Sequence, residues 1–260
     1  NLSKYAELVV KVGVNIQKNQ FLYITTSTDA LDLARLITKK AYEAGARQVF
    51  VDLADDQIGR ARYELAPDDS FDFFPEWKVK EREWLAEQGA AFVSIVSQSP
   101  DLLKGIDSKR IATFQKAAGT ALNKYRQYVQ SDKISWTVIA SPSEAWAEKV
   151  FPNLPKEKQV DALWDAIFKA TRSDLDNPVE AWTKHNDTLH EKVHYLNAKK
   201  YAKLHYTAPG TDLTIELPKG HLWCGAGSVN EKGEEFMANM PTEEVFTVPH
   251  KDGVNGYVSS

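Results

Sequence analysis

Cysteine is almost missing. Cys224 is the only one in a 260-residue chain, which excludes an internal disulfide framework and a zinc centre built on two or four thiolates. That usage fits a reducing compartment, and a cytoplasmic protein with a buried, inert thiol is the expectation. Long apolar runs are missing as well. Nothing approaches the roughly 20 consecutive apolar residues of a membrane-spanning helix, and no segment reads as a secretory signal. Neither sign of charge dominates: 32 basic residues stand against 36 acidic ones, for a net charge of −4, so no basic face offers itself to nucleic acid. Glycine is absent where a nucleotide binder needs it. The first predicted strand runs into Thr25-Thr26-Ser27-Thr28-Asp29, a hydroxyl-rich turn with no residue that lets backbone approach a pyrophosphate. No GxxxxGK[ST] loop occurs, and Gly225-Ala226-Gly227 lies between late strands and does not open a helix. A Gly-x-Ser-x-Gly elbow is missing too, and Cys224 has no activating context, which removes support for serine or cysteine nucleophilic chemistry.

Hydrophobic residues make up 43% of the chain, enough for a substantial core, and they recur with readable periods. Leu2, Tyr5, Leu8, Val9 and Val12 form a helical stripe within Leu2–Val14. Phe21–Thr25 reads as a strand. Asp29 then opens a helix with Leu33, Ile37, Ala41 and Ala44 on one face, stopped by Gly45 before a second strand, Gln48–Leu53. This is a βαβ unit, which implies parallel strands and a right-handed crossover. The pattern repeats with a helix over Pro75–Gln88, a strand over Ala91–Val96, a long helix over Ser108–Val129 and a strand over Trp136–Ala140. Two further helices follow, one from Pro155 and a longer one from Asn177-Pro178 to about Lys199. The expected fold class is α/β, an open parallel sheet with covering helices, Rossmann-like or flavodoxin-like. Beyond residue 200 the pattern turns to β, with Lys203–Thr207 and Asp212–Leu217 flanking Pro209-Gly210. The expected division is an N-terminal α/β domain over 1–200 and the incomplete beginning of a mainly β catalytic domain over 201–260.

The densest chemistry lies between Phe236 and Ser260. Pro241 fixes its own φ and sets up a turn that delivers Thr242, Glu243 and Glu244 onto a short strand, Val245–Thr247. Neighbouring strand residues face opposite ways, so one of the two glutamates serves a given site, and a carboxylate on a strand end is a rigid mount for a divalent cation. A solvated acidic turn is the alternative reading of the same residues. A second candidate is His190-Glu191-Lys192-Val193-His194, which matches the H-E-x-x-H pattern of single-zinc proteases. Trp182, Leu189, Val193 and Leu196 already define the buried stripe of that helix, however, which puts His190 and His194 beside it among lysines.

Asn239-Met240-Pro241-Thr242-Glu243-Glu244-Val245-Phe246-Thr247, then Pro249 and Val254-Asn255-Gly256, closely resembles the signature of the aminopeptidase T, aminopeptidase S and PepS family of metallo-aminopeptidases. Pro209-Gly210-Thr211-Asp212-Leu213 and His221-Leu222-Trp223 resemble the segment that precedes it, in the same order. The resemblance implies hydrolysis of the first peptide bond of a peptide substrate, a homodimer, and two divalent ions (Zn, Co, Mn or Mg) per complete active site. It implies that Glu244 is a metal ligand; its neighbour Glu243 is the second choice for that role and the candidate catalytic carboxylate. Members of that family continue well past the point where this chain stops, and the rest of the metal shell lies there, so a shortened member lacking most of the site is the expectation. The competing class is a non-catalytic α/β domain that pairs subunits or gates a site carried elsewhere.

Overall fold

The centre of the fold is the strand Phe21–Ser27 (β1), where Leu22, Tyr23 and Ile24 are buried in succession, so both faces of the strand are covered. In the computed structural model, which describes residues 1–259, β1 pairs in parallel with Gln48–Ala54 (β2) on one side and Ala91–Val96 (β3) on the other. Trp136–Ala140 (β4) continues the sheet beyond β3, in register from Phe92 opposite Trp136. The intervening helices are Leu2–Leu8 (α1), Leu31–Glu43 (α2), Asp56–Leu65 (α3), Glu76–Glu87 (α4), Ser108–Ala121 (α5), Asn123–Gln130 (α6), Glu144–Val150 (α7), Lys156–Ala170 (α8) and Pro178–Lys199 (α9). Strand alternation turns Phe21 and Tyr23 to one face. There Tyr23 packs with Leu85 and Ala86 of α4 and Phe92 of β3, and Tyr125, Tyr128 and Val129 of α6 close the cluster.

Later strands are short except for one antiparallel sheet. Lys203–Ala208 (β5) and Thr211–Glu216 (β6) form a hairpin, followed by Cys224–Gly225 (β7), Ser228–Val229 (β8), Glu235–Phe236 (β9), Asn239–Met240 (β10), Val245–Phe246 (β11) and Val254–Val258 (β12). β12 pairs antiparallel with β6, and β11 with β7. β10 instead joins the parallel sheet, with Asn239 opposite Val138 and Met240 opposite Ile139. The sheet order is therefore β2-β1-β3-β4-β10, the 2-1-3-4-5 order of flavodoxin-like folds. Of the two expected versions of the open sheet, this is the second.

Two compact units result: Asn1–Ala181 with Ser228–Pro241, and Trp182–Gly227 with Thr242–Ser260. They do not follow the expected split into 1–200 and 201–260. The division falls inside α9, and Ser228–Pro241 returns to the first unit because Met240, buried to 2% exposure, completes its sheet. Three further corrections concern local structure. The single helix expected over Ser108–Val129 breaks at Leu122, just after Gly119 and Thr120, two weak helix formers. The helix α3 was not expected. Asp55 caps it by accepting from the amides of Gln57 and Ile58, and none of its side chains is buried. Cys224 is exposed rather than buried, since β7 pairs with β11 only and its first residue lies on the surface. Among the described residues, no helix is long and apolar enough to cross a membrane.

Candidate functional site: a braced acidic turn

Thr242, Glu243 and Glu244 form the turn between the first unit's last strand and β11. Thr242 is buried, whereas both glutamates are exposed. One carboxylate oxygen of Glu244 accepts the backbone N–H of Glu243 at 3.0 Å, which pins that side chain over its own turn. Glu243 lies against α9: its Oε2 is 3.3 Å from Nε2 of His185. The same imidazole nitrogen stands 2.8 Å from the carbonyl oxygen of Thr242. The two carboxylates are thus held differently, one by its own backbone and one by a helix side chain.

Neither His185 nor its neighbour stood out in the sequence, yet α9 contributes three polar braces to this second unit. His185 meets the acidic turn. Asn186 accepts the N–H of Gly227 at 2.7 Å. Asn197 both donates to the carbonyl of Trp223 at 2.9 Å and accepts from its N–H at 2.8 Å. The helical repeat contains the signal that finds them. Counting from the buried Trp182, positions three and four further on are His185 and Asn186, on the same face as Leu189. Polar residues on the inward face of an amphipathic helix need partners. The upstream segment of the resemblance is also organised by side-chain bonds: His205 meets Asp212 at 2.7 Å, and Thr247 donates to the carbonyl of Leu222 at 2.7 Å.

His190 and His194 do lie on one face of α9, with ring centroids 6.4 Å apart. No third ligand joins them: among the described residues no group of three or more His, Cys, Asp or Glu side chains could hold a metal ion. That finding also sets the fit of a dication to the acidic turn. Carboxylate oxygens are suitable donors for such an ion, so Glu244 and Glu243 fit as contributors, but they do not amount to a coordination shell. A separate cleft of about 470 Å³ lies at the carboxyl ends of β1 and β3, lined by Thr28, Asp29, Asp55, Asp56, Ser99 and Glu144 among others, where doubly wound folds take ligands. Its rim is acidic. Burial, with the charges of Asp56, Asp55 and Glu144, pushes the Asp29 carboxyl above its ordinary value.

Fold and site together describe an α/β protein of two compact units, the second of which carries two exposed carboxylates on a turn braced from α9. Residues 1–260 match the family described as thermophilic metalloprotease (M29), and the chain belongs to that family. It is 61% identical over 259 residues to aminopeptidase AmpS of Bacillus subtilis (strain 168), covering 100% of this chain and 63% of that protein. It is 40% identical over 258 residues to aminopeptidase T of Thermus thermophilus, covering 99% of this chain and 63% of that protein. The solved structure of wild-type AmpT from Thermus thermophilus superposes with a TM-score of 0.92 at 38% identity, over 98% of this chain and 63% of that one. The chain therefore spans about 63% of the length of the relatives it matches.

Proposed function

We propose that this chain is the larger part of a metal-dependent aminopeptidase, which hydrolyses the first peptide bond of a peptide substrate, and that it works in the cytoplasm as a homodimer. Glu244 is a ligand of a centre of two divalent ions, drawn from Zn, Co, Mn or Mg, and Glu243 is the catalytic carboxylate beside it. The remaining ligands come from the part of the relatives that this chain does not span. Bound there, the ions supply an acidified water and polarise the scissile carbonyl. The single observation that carries the reading is that the family match runs through a turn whose two carboxylates are exposed and individually oriented. Glu244 offers its free oxygen to a cation, because the other is occupied by the Glu243 amide. Glu243 rests on His185 and would be the carboxylate that takes a proton.

The test uses a polypeptide of the relatives' length. Glu244→Gln keeps the shape and removes the charge, so kcat should fall by about 100-fold or more with loss of bound metal, while the fold survives. Glu243→Gln should keep its metal and lose rate. A Glu244→Gln enzyme with full activity and full metal content by elemental analysis would refute the assignment.

A further inference from the structure

We infer that His185 is the positioning residue of the acidic turn: from α9, its Nε2–H holds the Thr242 carbonyl and the Glu243 carboxylate together, and so sets where both glutamates stand. The inference rests on the reading of Glu243 and Glu244 as working carboxylates, and goes beyond it by assigning their orientation to a helix residue 57 positions before Thr242.

A carbonyl oxygen only accepts. The nitrogen 2.8 Å from the Thr242 oxygen must therefore carry the hydrogen, which fixes the neutral ring as the Nε2–H tautomer. Glu243 Oε2 lies 3.3 Å from that same nitrogen, within ion-pair reach of it. The ring itself is not free to turn. It meets the indole of Trp182 edge to face, centroids 5.4 Å apart at 88°, and Trp182 is fully buried one turn earlier on the same helix. The side chain of His185 is 13% exposed against 53% for Glu243, so the histidine is the anchored partner and the glutamate the held one. The order is then complete. Trp182 fixes the plane of His185, His185 fixes Thr242 and Glu243, and the amide of Glu243 fixes one oxygen of Glu244. A purely structural histidine would need only the carbonyl bond, whereas this nitrogen also reaches the carboxylate.

Three measurements test the inference. In the present chain, the imidazole ¹⁵N shifts of His185 should report hydrogen on Nε2; hydrogen on Nδ1 alone would overturn the inference without any substitution. His185→Ala should speed amide exchange over Glu243–Phe246 about tenfold, the effect of one lost hydrogen bond. In a polypeptide of the relatives' length it should lower kcat by about tenfold or more with KM nearly unchanged. His185→Gln, which restores an N–H donor, should recover most of both effects. Native exchange and native kcat in His185→Ala, or a Gln variant no better than Ala, would overturn it. If Glu244→Gln proves fully active while His185→Ala still loosens the turn, the assignment of the carboxylates fails and the brace stands.

Discussion

Gly225 stands opposite Val245 in the β7–β11 pair, with φ at +153°. A Cβ there would lie 2.8 Å from the carbonyl oxygen of Glu244 and 2.9 Å from the Cα of Val245. Both are backbone atoms, so no side chain can rotate away to make room. Gly225→Ala brings a backbone cost of about 1–3 kcal/mol for a conformation that is nearly glycine's alone, and overlap adds about 1–3 kcal/mol more. Against this stands a ladder of two residue pairs, whose hydrogen bonds contribute about 0.5–1.5 kcal/mol each. The steric term is the larger, so the pair should open and release the segment carrying Glu244. Amide exchange should accelerate at Val245 and Phe246, while the urea midpoint of the first unit holds, because its core lies elsewhere in the chain. Gly59→Ala is the control. Gly59 lies in α3 with nothing within 4 Å of its added Cβ, and the substitution should stabilise by about 0.5–1 kcal/mol. Unchanged exchange at Val245 and Phe246 in Gly225→Ala would refute the reasoning.

Met240→Ala should destabilise the first unit by about 2–4 kcal/mol, the usual cost of truncating a buried side chain, since Met240 is 2% exposed in the sheet's fifth strand; chemical denaturation reads this directly. Asp52 gives a pH test. Burial acts to raise its carboxyl, but the hydrogen bond from Lys78 at 3.0 Å and the charges of Lys78 and Arg82 outweigh it, and its pKa is lowered. The stability it contributes is therefore present above the unfolded carboxylate pKa of about 4 and is lost as pH falls through the lower folded value. Asp52→Asn should lower the urea midpoint at pH 7 and flatten its decline in acid; equal midpoint shifts at neutral and acid pH would count against it.

Strands β1 and β3 were legible because each opens on an apolar run, Phe21–Ile24 and Ala91–Val93, as a central parallel strand covered on both faces does. Helix α3 was not, for the converse reason: with no buried side chain it has no stripe to detect, and only Asp55 marks its start. The fifth strand escaped because two residues, Asn239 and Met240, cannot show a period. Their place is set by backbone pairing with Val138 and Ile139 from a distant part of the chain. Within the site, Glu243 and Glu244 were visible through the words of the signature, not through any pattern of polarity. His185 was legible only as a polar position on the inward face of α9; its partner is a backbone carbonyl, which every residue type carries, so the sequence did not say what it meets. The signature located the carboxylates and the period located the helix, and only their meeting became visible in three dimensions.

Because β10 closes the first unit from a point beyond Gly227, that unit cannot be finished in the order in which a ribosome delivers it. When all its helices have emerged, the nascent protein still carries β4 as a bare margin, with Val138 awaiting the carbonyl of Ala238. Unpaired margins of this kind recruit chaperones or other nascent chains. The same arrangement sets how far proteases can trim the mature molecule. Cuts after Pro241 spare the parallel sheet, whereas a cut a few residues earlier reopens it, so resistance to trimming should change abruptly at the proline.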